Sequence, residues 1–514
     1  MIEAADSEPD TADKLSEENR RNRDLDVLVV GAGVGGLAVA ALLAKDGHNV
    51  TVVEKNESVG GRAGSFSKDG FNFDTGPTWY LMPDVFERYF GHFGKRPGDL
   101  YQLQRLDPSY RVFFDDGETV DISSDVEEVY GLFDRLEEDG GAKLRRFLAK
   151  GEELYESIKR TLYLDLDSPL SIFNREIFLQ GIKINIFESV ESYVKRTFKS
   201  DKARKILLYS IGFIGTPPSR CPSFYSLLNY VKLIGGVYHP IGGIRRVVEA
   251  IYGLARSYGV DFILGSEVKK IEVTGGRVRR VYADGHSLDA DVVVVNGDYV
   301  YFETKLLDHA HRTYDSRYWE RKTFTPSALL AFLGVRGEVD NLINHNVVLE
   351  RDWSENFRQI FDDRSPRWPD YASYYVHVPS KTDASAAPKD GEAVYLLIPV
   401  ASGLEDGERE RGRLFTNVLR DLERKTGDRI EDRIVVKRFF SVQDFSSRFN
   451  SYRGSALGLA HTLRQTAFWR PRHRSAKVKN LYYTGQYTHP GIGVPMVLIS
   501  AEIVREKIRR EVMR

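Results

Sequence analysis

Asp26-Val-Leu-Val-Val30 runs straight into Gly31-Ala-Gly-Val-Gly-Gly36, then Leu37-Ala-Val-Ala-Ala-Leu-Leu-Ala44, and shortly afterwards Asn49-Val-Thr-Val-Val-Glu54. The first and last runs are β-branched and apolar, as suits strands of a parallel sheet buried on both faces. The segment Leu37–Ala44 between them reads as a helix. Strand, glycine turn, helix and second strand are the context that a dinucleotide fingerprint requires. Gly31 permits the tight turn, Gly33 lets the backbone approach a pyrophosphate, and Gly36 lets helix and strand approach. The helix start offers free amides to the phosphates. Glu54 closes the second strand, where a carboxylate accepts from ribose hydroxyls. An α/β, Rossmann-like domain is expected here. Nothing in the glycines themselves chooses between FAD and NAD.

Val27–Ala44 carries no charged side chain and is close to the shortest length of a membrane span. Its four glycines, and the acids Asp24 and Asp26 just before it, argue for the nucleotide turn over a span or an export signal. Residues 1–24 are polar and charged, with little to bury, and are expected to form a disordered leader.

The chain has 514 residues, enough for more than one core. Its 73 Lys and Arg balance 74 Asp and Glu to a net charge of −1, so no basic footprint for nucleic acid is present. Cys221, the single cysteine, excludes an intramolecular disulfide and an all-thiolate metal site. It reads as a buried or loop thiol. None of the 11 histidines has metal-ligand spacing with a carboxylate, His309 and His311 included, so no metal is expected.

Farther on stand Glu54-Lys55-Asn-Glu-Ser-Val-Gly60-Gly61-Arg62 and Phe71-Asn-Phe-Asp-Thr-Gly76-Pro77-Thr78-Trp79. Val260–Val268 reads as a strand, Gly275-Gly276 as a hairpin turn and Asp289–Asn296 as a further buried strand. Near the end comes Asn480-Leu-Tyr-Tyr-Thr-Gly485-Gln486-Tyr-Thr-His-Pro490-Gly-Ile-Gly493-Val494-Pro-Met496, with a helix expected from about Val494. Together these resemble the bacterial and archaeal phytoene desaturases, the carotenoid branch of the FAD-dependent amine oxidase superfamily. Tyr238–Ile244, His345–Trp353, Pro379–Pro388, Gly458–Gln465 and the archaeal-like Trp79–Phe90 extend the resemblance over nearly the whole chain after residue 24.

The resemblance implies FAD as cofactor, held by Gly31, Gly33, Gly35, Gly36, Glu54, Lys55, Gly61, Arg62, Gly76, Pro77, Thr78, Val268, Gly485, Gln486, Gly493, Val494 and Met496. Arg62 would face phosphate oxygens, and Val268 backbone the adenine. Many relatives carry an acid where this chain has Gln486, which keeps the hydrogen bonding without the charge. A discontinuous FAD domain is expected from residues 25–105, 236–300 and 470–514. The substrate domain, α+β, would then be inserted as 106–235 and 301–469, with 165–235 helical and in contact with a membrane.

The implied activity is desaturation of phytoene or a later acyclic carotenoid intermediate in carotenoid biosynthesis, by hydride transfer to flavin N5 with loss of a neighbouring proton. The implied partners are a long isoprenoid substrate, a membrane surface and oxygen or a quinone as electron acceptor, in a cytoplasmic, peripherally bound protein. Carotenoid isomerases, saturases and non-catalytic prenyl-lipid binders share the fold and remain alternatives. Segment 171–187 has an apolar face (Ile172, Phe173, Ile177, Phe178, Leu179, Ile182, Ile186) suited to a bilayer interface or to the protein's own core. Segment 206–234, with Tyr209, Phe213, Phe224, Tyr225 and Tyr230, reads as a wall for the substrate. No catalytic acid or base is assigned. His489 is expected to pack or bond the backbone; Asp444, Arg453, His461, His239 and His345 read as ordinary surface or core polar residues.

Overall fold

The valine runs at 26–30 and 49–53 pair in parallel, with Val29 level with Val52 on one side and with Val294 on the other. In the computed structural model, which describes residues 24–167, 188–350, 352–362 and 365–512, they form the centre of a five-stranded parallel sheet. Its order is Leu481–Tyr483, Val292–Val295, Asp26–Val30, Asn49–Val53, Asp261–Ile263. Side chains alternate between two buried faces, as the strand period requires. Val27, Val29, Val50, Val52, Val292 and Val294 pack on the helices Val34–Lys45, Arg245–Ser257 and Val494–Val512. Leu28, Val53, Val293, Val295 and Tyr483 face the other way, onto a three-stranded antiparallel sheet (Val268–Thr274, Arg277–Ala283, His286–Asp289).

The first helix begins at Val34, a turn earlier than the apolar run alone indicates. Two other expected elements divide. Residues 260–268 hold a short strand, Asp261–Ile263, and then a turn at Gly265 (φ +65°), before Val268 opens a strand of the second layer. Bonds from Gly265 N to Asn56 O (3.0 Å) and Ser266 N to Glu54 O (2.8 Å) hold that turn against the end of the second strand. Asp289–Asn296 likewise splits: His286–Asp289 stays in the antiparallel sheet and Val292–Val295 crosses to the parallel one.

A second, seven-stranded mixed sheet runs Ile434–Phe440, Ser327–Arg336, Gly391–Val400, Tyr374–His377, His345–Leu349, Tyr110–Phe114, Thr119–Ile122. One face (Leu329, Leu333, Val376, Leu396, Ile398) is covered by the helix Glu408–Thr426. The other (Leu330, Phe332, Val347, Tyr375, Tyr395) faces the helices Val126–Leu136, Gly140–Thr161, Val190–Thr197 and Asp201–Leu208. A hairpin, Ser65–Lys68 with Phe71–Asp74, leaves the nucleotide end of the chain and buries Phe71 and Phe73 in this second core. The fold is thus a Rossmann-like α/β layer joined to an α+β unit threaded through it.

Segment 171–187 and residues 1–23 lie outside the described residues. Among the described residues no helix is long and apolar enough to cross a membrane. Cys221 is buried.

Candidate active site

Between the two sheets lies a cavity of about 830 Å³, and nearly all the expected cofactor residues line it. Gly31, Gly33, Gly35, Glu54, Lys55, Gly61, Arg62, Gly76, Pro77, Thr78, Val268, Gly485, Gln486, Gly493, Val494 and Met496 are all in its wall. Gly36 sits behind the wall, where a Cβ would stand 2.0 Å from the Gly31 carbonyl oxygen. Only glycine permits the helix to pack that close to the strand end. Gly76 is similarly confined: a Cβ there would lie 1.8 Å from the Arg62 carbonyl oxygen.

Glu54 directly follows the second strand and is buried. Its Oε2 accepts from Ala32 N at 2.7 Å, and Oε1 from Asn56 N at 2.8 Å and Asn56 Nδ2 at 2.6 Å. Each carboxylate oxygen has two lone-pair sites, so these bonds fix its direction and leave acceptor capacity towards the cavity. Lys55 spends its ammonium on Ser447 O (2.6 Å), Asn450 Oδ1 (2.8 Å) and Glu267 (3.2 Å). Burial raises the Glu267 pKa, but the hydrogen bonds from Lys269, Asn450 and Lys55 outweigh it and hold the carboxyl at about 2.

Arg62 stands half-buried in the turn Gly61–Ala63, with its Nε out of reach of solvent. Its Nη2 donates to Ser451 Oγ at 2.8 Å and its Nε has no protein partner. Burial lowers its pKa, opposed by nearby Asp298. Asp298 is itself pushed up by burial, and is held by Arg62 and by the Tyr487 hydroxyl, which donates at 2.6 Å. An unpaired guanidinium N–H in a buried wall is costly unless a ligand meets it. Gln486 Nε2 is buried and unpartnered in the same wall. Together with the glycine turn, these donors fit the phosphates and linker of a dinucleotide. The cavity therefore accepts the cofactor that the motifs imply.

Three residues not singled out from sequence organise this wall. Asn296 follows the Val292–Val295 strand and reaches the Gly31 carbonyl at 3.5 Å, beside Gly33, Gly35 and Gly485. Tyr375 bridges Thr78 Oγ1 (2.8 Å) and His345 Nδ1 (2.6 Å). Arg470, fully buried with its pKa lowered by burial to about 10, donates to the carbonyls of Leu459, Gln465, Gln486, Tyr487 and Thr488. None of the three carries a periodic or motif signal; each is visible only once distant segments meet.

His461 also belongs to the wall. Ile492 N donates to its Nε2 at 3.1 Å, so Nδ1 carries the proton and donates to the Tyr225 hydroxyl. Burial holds it neutral, well below its usual range. His489 faces the Leu162 carbonyl at 3.0 Å from Nε2, with burial lowering its pKa to about 3; it bonds the backbone, as its position suggested. His239 and His345 are core residues. Asp444 closes a capping box with Ser441. Among the described residues no cluster of His, Cys, Asp and Glu could hold a metal ion.

The rest of the wall is mostly apolar and aromatic. Tyr209, Phe224, Tyr225, Leu228 and Val231 come from the 206–234 segment, and Val347, Trp353, Phe357 and Tyr395 from the far side. Phe468 and Trp469 complete it, and Trp469 is 55% exposed.

Comparison with known proteins agrees with this architecture. Residues 34–504 match the model of the flavin containing amine oxidoreductase family. A carotenoid 3,4-desaturase of Haloarcula japonica is 42% identical over 95% of this chain and 98% of its own. A zeta-carotene-forming phytoene desaturase of Myxococcus xanthus is 35% identical over 94% and 93%. Among solved structures, an oxidoreductase of Methanosarcina mazei superimposes with a TM-score of 0.61 at 18% identity, covering 94% of this chain and all of that one, which shows the shared fold. The chain belongs to the flavin-containing amine oxidoreductases, in their carotenoid desaturase branch, and its cofactor is FAD.

Proposed function

We propose that this protein is an FAD-dependent desaturase of an acyclic carotenoid, phytoene or a later intermediate, acting in carotenoid biosynthesis. The observation that carries the reading is one continuous cavity. Its one part is lined by the glycine turn, Glu54, Arg62 and Gln486, and its other part by apolar and aromatic side chains. A polyene hydrocarbon offers no group for covalent or metal catalysis, so a dry aromatic wall beside a redox cofactor is what its oxidation needs.

When bound, FAD supplies a two-electron hydride acceptor. The chain supplies the rest. Glu54 and Arg62 would bind the ribose and phosphates, and Gln486 the linker. The backbone of Gly76–Thr78 and the start of the helix Val494–Val512 would position the ring, the helix end favouring negative charge there. Tyr209, Tyr225 and Trp353 exclude water and present ring faces that stabilise positive charge developing on the polyene.

Such a substrate dissolves in the bilayer, so the protein is read as a peripheral membrane enzyme of the cytoplasmic side. The exposed indole of Trp469 at the cavity wall supports that docking. Oxygen or a membrane quinone is the proposed final acceptor.

The deciding experiment incubates anaerobic, FAD-loaded protein with liposomes carrying phytoene or a later acyclic carotenoid. Bleaching of the flavin absorbance with a longer conjugated product is expected. A cis–trans change with no flavin reduction would instead make the protein an isomerase.

A further inference from the structure

Lys232 lies in the short helix Leu227–Leu233, within the apolar cavity wall formed with Leu227, Leu228 and Val231. It is 2% exposed, and among the described residues it has no carboxylate partner, burial being what acts on its charge. Its Nζ stands 4.5 Å from the Tyr209 ring centroid and 5.1 Å from that of Tyr110, with one long contact of 3.4 Å to the Ile206 carbonyl. Those two rings are 5.3 Å apart, and Trp79 lies 5.4 Å from Tyr110 and 6.4 Å from Tyr209. The aromatic nest around Lys232 is therefore continuous with the Gly76–Trp79 loop that lines the cofactor end.

A lysine kept in an apolar wall without a counter-ion is costly as the ammonium and cheap as the free amine. Burial lowers its pKa to about 7. Tyr110, from the second sheet, and Tyr209, from the turn after Asp201–Leu208, are the titratable groups that face it. Both phenols are pushed up by burial and stay neutral. On the adjoining long helix, Glu152 accepts from the Tyr230 hydroxyl at 3.3 Å. The reaction needs such a group: once hydride leaves, the neighbouring carbon must lose a proton in a cavity from which water is excluded. His461 and His489 serve poorly, since each is committed to backbone or hydroxyl partners and held neutral by burial.

We propose that Lys232 is the proton acceptor of the desaturation. Hydride departs with both electrons from one carbon to the oxidised flavin. The adjacent C–H bond breaks, its electron pair becomes the new C=C bond, and its proton forms the third N–H bond of Lys232. The Tyr110 and Tyr209 ring faces stabilise the ammonium so formed. A permanently charged group at this place would oppose cation formation on the polyene; a free amine does not.

This inference rests on the desaturase reading, and the test separates the two. Single-turnover product formation is followed anaerobically from pH 5.5 to 9 in wild type, Lys232→Met and Lys232→Arg, each checked for bound FAD by its absorbance. Wild type should rise about tenfold per pH unit below about 7 and level off above, because only the free amine accepts. Both variants should fall by about 10²–10⁴-fold and lose that pH dependence. A Lys232→Met variant within about threefold of wild type, with the same profile, overturns the proposal. Independently of turnover, NMR of ε-¹³C-labelled lysine, assigned by the Lys232→Met spectrum, should show an amine that titrates near neutrality. A Lys232 resonance still charged at pH 9 overturns it. If wild type converts no acyclic carotenoid, the desaturase reading falls first and this inference with it.

Discussion

Arg470 Nη2 stands 2.6 Å from the carbonyl oxygen of Gln486, in the loop that joins the last strand of the parallel sheet to the helix Val494–Val512. The same guanidinium holds four further carbonyls, so one side chain sets the shape of that loop. Arg470→Met leaves those carbonyls unsatisfied in a buried place. With charged hydrogen bonds worth about 1.5–3 kcal/mol each and not additive, a loss of at least about 3 kcal/mol is expected. Denaturant unfolding of the holoprotein, with FAD content of the purified variant, checks it. Unchanged stability and full FAD would show that the loop holds itself.

Gly76→Ala tests the cofactor wall from the other side. The added methyl would lie 1.8 Å from the Arg62 carbonyl oxygen, and backbone cannot yield that far without moving the Arg62 turn. The variant should fold with a lower Tm and retain a small fraction of the wild-type FAD. Retention equal to wild type would mean that the loop and Arg62 move independently.

Asp74 supplies a pH test. Its carboxylate accepts from Ile244 N (2.7 Å) and Arg245 N (3.1 Å), yet burial outweighs these bonds and raises its pKa from 3.8 to about 6. The folded state thus binds the proton more tightly than the unfolded chain. Stability from this group is full below about pH 4 and is lost as pH rises through about 6. Asp74→Asn removes that titration. The stability of wild type relative to the variant should therefore fall between pH 4 and 7, by at most about 3 kcal/mol at ~1.4 kcal/mol per pKa unit. Urea unfolding of both proteins across that range measures it; a difference that is flat with pH would place the Asp74 pKa near its ordinary value.

Trp469→Glu tests membrane docking. The indole is 55% exposed while Ala467 and Phe468 just before it line the cavity, so a charge there should weaken liposome binding several-fold and leave flavin content unchanged. Co-flotation with anionic vesicles reports it. Equal flotation of wild type and variant would remove Trp469 from the docking surface.

The cofactor half of the molecule is the part that sequence reads well, and the physical reason is local. A glycine turn between two valine strands must form within a few residues of itself, and Glu54 follows from the strand end. Val260–Val268 reads less well: its apolar residues hide the Gly265 turn, which exists because Glu54 and Asn56 bond its backbone from far away. Arg470 and Asn296 are illegible for the same reason, since their partners are carbonyls of other segments and a carbonyl leaves no trace in composition. Lys232 is harder still. It lies within the 206–234 run read as substrate wall, and its surroundings emerge only where Tyr110, from the second sheet, stands over it.

The parallel sheet takes its strands from residues 26–30, 49–53, 261–263, 292–295 and 481–483. A ribosome delivers them in that order, so the glycine turn and Glu54 are made long before the segment that closes the site. Until residues 481–512 emerge, the central valines lack one edge strand and one of the three helices that cover them, and the chain of the α+β unit has been made in between. Flavin loading is therefore a late event in the life of each molecule, and a nascent chain exposes its apolar sheet for most of its synthesis.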